Sequence, residues 1–416
     1  MTSFVDKIRF GFTKSYWVAN TLELFERFAF YGSKAILTYY LAIKVGLGEV
    51  TAGTLAGLFS GLLYSLPIVA GVFVDRYGFR KTLIICFSFF TIGYFLIGFA
   101  GLNFSHDIIS VIGKTPYMVA VLVLTAIGGS LIKPCIVGTV AKTTNEETKS
   151  LGYSIYYTIV NIGGAIGPIL ALQVRENLGI EFVLIMSSVT SLLLIFGAYF
   201  FFDEPVQLNQ NQNASLKKVF SDMLMVFKNF KFMLFLVIFS GFWIMFWQIF
   251  YSFPFYITQV LKFERFELLE TIDAWTIIIV TVPITGLVKK YFSPIVAMSI
   301  GFFIASASWL LLVINPTITM AIVAMALFAI GEATQAPRFY EYVSSLAPKE
   351  QVGTYMGFAF LPVAIGSFVA GPLAGFLVKN YLKDTLQPEI IWYVLSGIGF
   401  TSAILMLIYN SLKEKL

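Results

Sequence analysis

Apolar runs of about twenty residues recur along the whole chain, separated by short stretches that carry charges, amides, Gly or Pro. A helix needs about 20 predominantly apolar residues to cross the hydrocarbon core of a bilayer. The composition agrees, since 58% of the 416 residues are hydrophobic and 12% are charged. A soluble domain carries about 25% charged residues. The sequence therefore predicts an all-α polytopic membrane protein.

Breaks between the apolar runs divide the chain into twelve predicted transmembrane helices. Residues 1–202 are predicted to form an N-terminal six-helix bundle, 203–231 a cytoplasmic linker and 232–416 a C-terminal six-helix bundle. The predicted spans lie near 17–44, 50–74, 82–102, 116–141, 151–174, 181–202, 232–261, 268–288, 293–314, 317–345, 352–378 and 389–411.

The distribution of Lys and Arg predicts the orientation. With both termini inside, seventeen of these side chains fall in inner segments, seven in outer loops and four within spans, which accounts for all 28. Cytoplasmic loops carry an excess of positive charge, so both termini are predicted to be cytoplasmic.

The loops are compact, and we expect a bacterial inner membrane and a functional monomer. Basic residues are scattered without a basic patch, which argues against nucleic acid as a partner.

An internal repeat relates the two halves. The fourth span contains AIGGSLIKP (Ala126–Pro134) and the tenth AIGEATQAP (Ala329–Pro337), at an offset of 203 residues. Nearly the same offset superposes Gly167-Pro168 on Gly371-Pro372. The matches indicate two six-helix halves with a substrate site between them near the midplane. The alternative is that Gly-Pro pairs are simply common in membrane helices.

The first span carries charges that lipid does not tolerate. At about 100° per residue, Glu23, Glu26, Arg27, Tyr31 and Lys34 share one helix face. A charged group at mid-bilayer costs about 2.5–3.5 kcal/mol on insertion scales, so it normally faces a cavity or a partner. Two carboxylates beside a guanidinium can hold or release a proton at low cost. We expect a proton-coupled switch here; the alternative is a permanent structural ion pair.

Two further charges lie in the repeated segments. Lys133 is a cation within the fourth span, and a carboxylate of the first span is its natural partner. Glu332 occupies the repeat position of Gly129, so this charge is specific to one half. Glu332 opposite Lys34 and Lys133 predicts a bipolar cavity for a zwitterion, with the ammonium at Glu332 and the carboxylate at the lysines.

Arg338 and Glu341 end the tenth span three residues apart. This spacing is typical of a local helix pair or a gate latch, and a substrate contact is the less favoured interpretation. Cys86 and Cys135 lie inside apolar runs, which argues against a metal cluster or a thiol nucleophile. No cofactor is expected other than protons as the coupling ion.

The inner loop between the second and third spans reads GVFVDRYGFRKTL. It resembles the G-x-x-x-D-R-x-G-R-[KR] signature of the major facilitator superfamily. The matching residues, assigned gating or structural roles, are Gly71, Asp75, Arg76, Gly78 and Arg80. Glycines are expected to let the two helices approach closely, and Asp75 to cap a helix end or pair with an arginine.

A second resemblance concerns the function. The first-span ELFERFAFYG is similar to the E-x-x-E-R-F-x-Y-Y-G motif of proton-dependent oligopeptide transporters, and GGSLIKP, YYTIVNIGG (Tyr156–Gly164) and the tenth span around Glu332 are similar to further segments of that family. The resemblance implies import of di- and tripeptides together with protons. Glu23, Glu26, Arg27 and Lys133 would couple the proton. The implied substrate-binding residues are Tyr31, Lys34, Tyr64, Lys133, Asn161, Gln248 and Glu332.

Two positions depart from that family. Trp247, in FWIMFWQ of the seventh span, stands where many bacterial members carry a Glu before the Gln, which leaves Gln248 as the polar contact. Lys34 replaces an arginine, so a point charge stands in place of a bidentate fork.

The alternative function is a major facilitator transporter of another small amphipathic or anionic solute, including drug or lipid export by proton antiport. Gly163-x-x-x-Gly167-Pro168 resembles a motif of drug/proton antiporters and supports it.

Two other functional classes find no support. An intramembrane enzyme would need a His-rich cluster, HExxH or Gly-x-Ser-x-Gly, and none occurs in a chain with one histidine. A single chain with an asymmetric cluster of charges is more typical of a transporter that works by alternating access than of a channel. The sequence therefore predicts a transporter and not an enzyme.

Overall fold

The computed structural model describes residues 11–145, 147–205, 221, 224–348 and 352–412. Those residues form α-helices joined by short connections, with π-helical segments at Tyr40–Lys44 and Val378–Asp384 and a 3₁₀ turn at Asn103–Ser105, and no strand occurs among them. The helices are α1 Lys14–Tyr39, α2 Gly48–Ser65, α3 Pro67–Tyr77, α4 Phe79–Phe99, α5 His106–Ile112, α6 Lys114–Gly129, α7 Ile132–Thr143, α8 Lys149–Asn177, α9 Ile180–Phe201, α10 Phe230–Phe246, α11 Gln248–Tyr251, α12 Phe253–Gln259, α13 Phe266–Tyr291, α14 Pro294–Ile314, α15 Ile318–Leu346, α16 Val352–Phe358, α17 Leu361–Leu377 and α18 Glu389–Leu412. The all-α prediction is confirmed.

Ten helical segments in the described ranges are long and apolar enough to cross a membrane, and α2 with the start of α3 makes an eleventh, bent by 47°. The helix α1 has 26 residues. At 1.5 Å per residue it is about 39 Å long, enough to cross the hydrocarbon core. Its charged side chains make it less apolar than the other spans. Counting α1 gives twelve spans, as the hydropathy pattern predicts.

Prolines explain most breaks within the predicted spans. Proline lacks a backbone N–H and clashes with the carbonyl four residues earlier, which interrupts a helix. Pro67 opens α3 after the bend, Pro134 lies in the first turn of α7, and Pro254 lies in the first turn of α12. The polar connector expected after the third span contains the short helix α5, which the pattern did not predict.

Contacts divide the chain into two compact units. The first unit comprises Met1–Ser33 and Leu66–Val219, and the second Lys34–Ser65 and Phe220–Leu416. Within the first, α4 packs against α6 and α9; within the second, α14 packs against α15 and α18, and α13 against α15. The predicted linker, 203–231, lies largely outside the described residues, and the proposed bundle boundaries remain a prediction.

The segment that contains α2 belongs to the second unit because α2 packs closely along α17. A Cβ atom at Gly57 of α2 would lie 2.7 Å from the carbonyl oxygen of Ser367 and 2.9 Å from the Cα of Gly371. Small residues at such a contact let two helix backbones approach and gain van der Waals packing, which is how helices associate in lipid.

Candidate functional site

Four charged side chains meet inside the first unit: Glu23, Glu26 and Arg27 on α1, and Lys133 on α7. The Nε of Arg27 lies 2.5 Å from Glu26 Oε2 and 3.5 Å from Glu23 Oε1. The Nζ of Lys133 lies 3.0 Å from Glu23 Oε1 and donates a hydrogen bond to the hydroxyl of Tyr156 at 2.8 Å. We call these four charges and Tyr156 the ionic cluster.

The α1 residues of the ionic cluster are enclosed by protein. Glu23 is 0%, Glu26 1% and Arg27 2% exposed. Gly163 and Gly167 of α8 face α1, and a Cβ atom at Gly167 would lie 2.9 Å from the carbonyl oxygen of Phe28. The Gly-x-x-x-Gly pattern therefore brings α8 close to the charged helix within this unit.

The two carboxylates of the ionic cluster are compensated unequally. Glu23 has two cationic partners, Lys133 and Arg27, and accepts a weak hydrogen bond from Tyr156 at 3.5 Å. Among the described residues, Glu26 has Arg27 as its single cationic partner. Each carboxylate also keeps one buried oxygen that accepts no hydrogen bond within the described chain. Glu26 is therefore the carboxylate that gains more from binding a proton.

Lys34, the first residue of the second unit, is buried among neutral groups. Its Nζ donates hydrogen bonds to the hydroxyls of Ser60 and of Tyr251, the latter at 3.2 Å. It also lies 4.4 Å from the ring centroid of Trp247 and 4.5 Å from that of Tyr251, within cation–π range. We call Ser60, Trp247 and Tyr251 the Lys34 cage. No described carboxylate forms an ion pair with Lys34.

The cage residues are themselves held by α17. The Tyr251 hydroxyl shares a hydrogen bond of 2.8 Å with Ser367 Oγ, and the indole N–H of Trp247 donates to the carbonyl of Val363 at 3.0 Å. The side-chain amide of Gln248 donates to the carbonyl of Ala370 at 3.1 Å. Gln248 is 0% exposed, so its amide links two helices in this structure.

Three further residues that the resemblance implies in substrate binding, Tyr31, Tyr64 and Asn161, are distributed over both units. In the first unit, the Tyr31 ring lies 5.8 Å from the guanidinium of Arg27, and the Asn161 amide donates to the carbonyl of Tyr157 on its own helix at 2.8 Å. In the second, the Tyr64 ring lies 5.7 Å from that of Trp247, beside the Lys34 cage.

Glu332 on α15 has an acidic neighbour that was not anticipated, Asp273 on α13. The two helices pack through an apolar cluster that includes Ile277, Ala329 and Ala333. One carboxylate oxygen of each acid is buried and accepts no hydrogen bond from the described residues. The signal was available in the sequence, because Asp273 is an ionisable residue inside a predicted span.

Arg338 joins two helices of the second unit. Its guanidinium lies 2.5 Å from Glu341 Oε2 on the same helix and donates to the carbonyl of Phe292, directly after α13, at 2.9 Å. The local helix pair expected from the spacing is present, and it also fixes the end of α13 against α15.

The loop of the superfamily signature is organised by a residue outside the signature. Gly78, between α3 and α4, has φ +82°, a backbone conformation that favours glycine. The carboxylate of Glu204 accepts hydrogen bonds from the backbone N–H groups of Phe79 at 2.6 Å and Arg80 at 2.9 Å. Glu204 therefore caps the N-terminus of α4. The Arg80 guanidinium donates to the carbonyl of Tyr199.

The structure bears differently on three signature residues of this loop, Gly71, Arg76 and Asp75. The close helix approach expected at Gly71 is not found, because a Cβ atom there would meet no described atom within 4 Å. Arg76 lies at the exposed end of α3, with its guanidinium 5.5 Å from the ring of Tyr77. Asp75 lies in α3, but its side chain is outside the described part of the structure. Its capping and pairing roles stay a prediction.

The helical architecture and the signature loop agree with the comparison to known families. A family model described as the Major Facilitator Superfamily matches residues 21–361 and again residues 266–415. The chain belongs to the major facilitator superfamily. The crystal structure of a POT family transporter in complex with 5-aminolevulinic acid has the same fold, with a TM-score of 0.76, 18% sequence identity and 96% of each chain covered.

Two relatives differ in how much of the chain they match. Dipeptide and tripeptide permease B of Aliivibrio fischeri (strain MJ11) is 28% identical over 189 residues, which cover 45% of this chain and 36% of that protein. The multidrug resistance protein MdtH of Proteus mirabilis (strain HI4320) is 23% identical over 363 residues, which cover 86% of this chain and 85% of that protein. The chain is a multi-pass membrane transporter of this superfamily.

Proposed function

We propose that this transporter imports di- and tripeptides together with protons by alternating access. The observation that carries the proposal is the ionic cluster, in which Glu26 has one cationic partner while Glu23 has two. A proton on Glu26 frees Arg27 to favour Glu23, so protonation rearranges the ion pairs of α1. Such a rearrangement couples proton binding to helix movement.

Lys133 links the proton to the substrate. Its side chain is 19% exposed, whereas that of its partner Glu23 is 0% exposed. A peptide carboxylate that reaches the ammonium competes with Glu23 for it and shifts the balance of charge within the ionic cluster. Tyr31 and Asn161 are proposed as peptide contacts in the same unit. Lys34, Tyr64, Gln248 and Glu332 have that proposed role in the second, with the peptide ammonium at Glu332.

The similarity to dipeptide and tripeptide permease B supports peptides as the substrate class, and the match to a POT family structure supports the same fold. We propose that the protein works as a monomer in a bacterial inner membrane with both termini in the cytoplasm. The excess of Lys and Arg in the inner segments supports that orientation.

Proton-driven export of another small amphipathic solute is the second candidate function. The match to the multidrug resistance protein MdtH covers 85% of that protein, whereas the match to the permease covers 36%. Gly163 and Gly167, which resemble an antiporter motif, contact α1 beside the ionic cluster.

Competition in proteoliposomes separates the two candidates. We expect uptake of a labelled dipeptide, driven by an inward proton gradient, to be inhibited by unlabelled di- and tripeptides. Free amino acids and lipophilic cations are expected to leave it unchanged. Absence of gradient-driven dipeptide uptake, together with proton-driven transport of a lipophilic cation, would favour the export function.

A further inference from the structure

Glu270, on the second turn of α13, is a buried carboxyl that the proposed site does not use. It is 4% exposed, and neither of its oxygens accepts a hydrogen bond from any described residue. An ionised carboxylate buried without a hydrogen-bond donor loses its hydration and gains nothing in return. The neutral acid avoids this cost, so the geometry favours a proton on Glu270.

Lys34 is the cation whose charge acts on Glu270. The charged groups that act on Glu270 electrostatically are Glu267, one turn earlier on α13, and Lys34 on α1. The helices α12 and α15 also pack against α13, and in the described ranges they add no charged side chain at Glu270. Glu267 is itself buried at 0% exposure and repels a second negative charge. An ionised Glu270 therefore depends on Lys34 for compensation.

In the structure the ammonium of Lys34 is bound by the Lys34 cage and not by Glu270. It donates hydrogen bonds to the hydroxyls of Ser60 and Tyr251 and lies over two aromatic rings. The cage is fixed in turn by Ser367 and Val363 of α17. Lys34 and Glu270 thus lie in one unit, and the structure shows the ammonium in the neutral cage.

We propose that Glu270 is a second proton-binding carboxyl of this transporter and that Lys34 controls it. While Lys34 is in its cage, Glu270 holds a proton. When Lys34 leaves the cage, the O–H bond of Glu270 breaks, the proton passes to water, and the carboxylate pairs with the ammonium. The inference rests on the proposed proton coupling and adds one proton to each transport cycle.

Infrared spectroscopy tests the protonation without any transported substrate. The protein in lipid vesicles at neutral pH is compared with Glu270→Gln and with Glu264→Gln, a change at an exposed acid just before α13, as the control. We expect the C=O stretch of a protonated carboxylic acid in the wild type and in Glu264→Gln, with its amplitude reduced in Glu270→Gln. Equal amplitudes in wild type and Glu270→Gln would overturn the proposal.

The coupling is tested by the steady-state accumulation of a labelled dipeptide in proteoliposomes, with the membrane potential clamped at zero. Each coupled proton adds about tenfold accumulation per pH unit of gradient, since one unit is about 1.36 kcal/mol. We expect Glu270→Gln and Lys34→Gln each to lose one such factor, and the double variant to lose no more. An unchanged factor in Glu270→Gln, with Glu26→Gln impaired, would overturn the second site and leave the proposed function intact.

These two measurements distinguish a failure of the proposed peptide transport from a failure of the proposal for Glu270. Absence of dipeptide uptake by the wild type contradicts the proposed function, and the infrared comparison still decides whether Glu270 holds a proton. Peptide exchange across the membrane without a gradient checks that the variants are folded, and we expect it to persist in Glu270→Gln.

Discussion

The ammonium of Lys133 on α7 lies 3.0 Å from Oε1 of Glu23 on α1, and this carboxylate is fully enclosed by protein. The contact joins two residues that are 110 positions apart in the sequence. Removal of Lys133 leaves the buried Glu23 carboxylate with Arg27 as its remaining cationic partner, and removing one partner of a buried pair is costlier than removing both. The pair therefore serves both the stability of the first unit and the charge balance of the ionic cluster.

We expect Lys133→Met to lower the free energy of unfolding by less than about 3–5 kcal/mol, the cost typical of leaving a buried charge uncompensated, because Arg27 remains beside Glu23. The double variant Glu23→Gln/Lys133→Met is expected to lose less than the sum of the single variants, by about 0.5–3 kcal/mol. Denaturation in mixed micelles measures these differences. Lys142→Met, at an exposed position of the same helix, serves as control and should cost about 1 kcal/mol or less. Additive losses would show that the two side chains are not coupled.

The cap of α4 predicts a local effect. Glu204→Ala removes the acceptor for two backbone N–H groups. Loss of a cap typically costs about 1 kcal/mol. Amide hydrogen exchange at Phe79 and Arg80 is then expected to accelerate about fivefold. The neighbouring change Asp203→Ala, which removes an exposed pair with Lys14, is expected to leave these two amides unchanged. Equal exchange in both variants would refute the cap.

The contact between α2 and α17 predicts a steric effect. Gly57→Leu places a side chain against Ser367 and Gly371, where even a Cβ atom lies under 3.0 Å from backbone atoms. Overpacking of this kind costs about 1–3 kcal/mol or more. Thermal unfolding in detergent measures it. Gly286→Leu is the control, because no described atom lies within 4 Å of a Cβ atom there. Equal thermal stability of both variants would argue against the close contact.

The membrane fold follows largely from the sequence, because each span has to satisfy the same length and hydropathy requirement independently. The helix face shared by Glu23, Glu26 and Arg27 also follows, since it depends on local helical geometry alone. The ionic cluster was partly predictable for the same reason. Its fourth charge, Lys133, was predicted to need a carboxylate of that face.

What the sequence did not reveal depends on contacts between distant segments. The Lys34 cage combines α1 with Ser60 and with Tyr251, which is 217 residues away from Lys34. Glu204 caps a helix that begins 125 residues earlier, and no local pattern announces it. Glu270 and Asp273 were visible as acids in an apolar span, but their interpretation required knowing which groups surround them.

The measurement that tests the central claim most directly compares wild type with Glu26→Gln in proteoliposomes. Glutamine is neutral at every pH, so this variant cannot carry the proton. We expect the wild type to accumulate a labelled dipeptide only with an inward proton gradient. Glu26→Gln is expected to exchange dipeptide across the membrane at equilibrium but to lose the part of the gradient-driven accumulation that its proton supplies, about tenfold per pH unit of gradient. Full accumulation by Glu26→Gln with unaltered pH dependence would contradict the account and make the ionic cluster a structural ion pair.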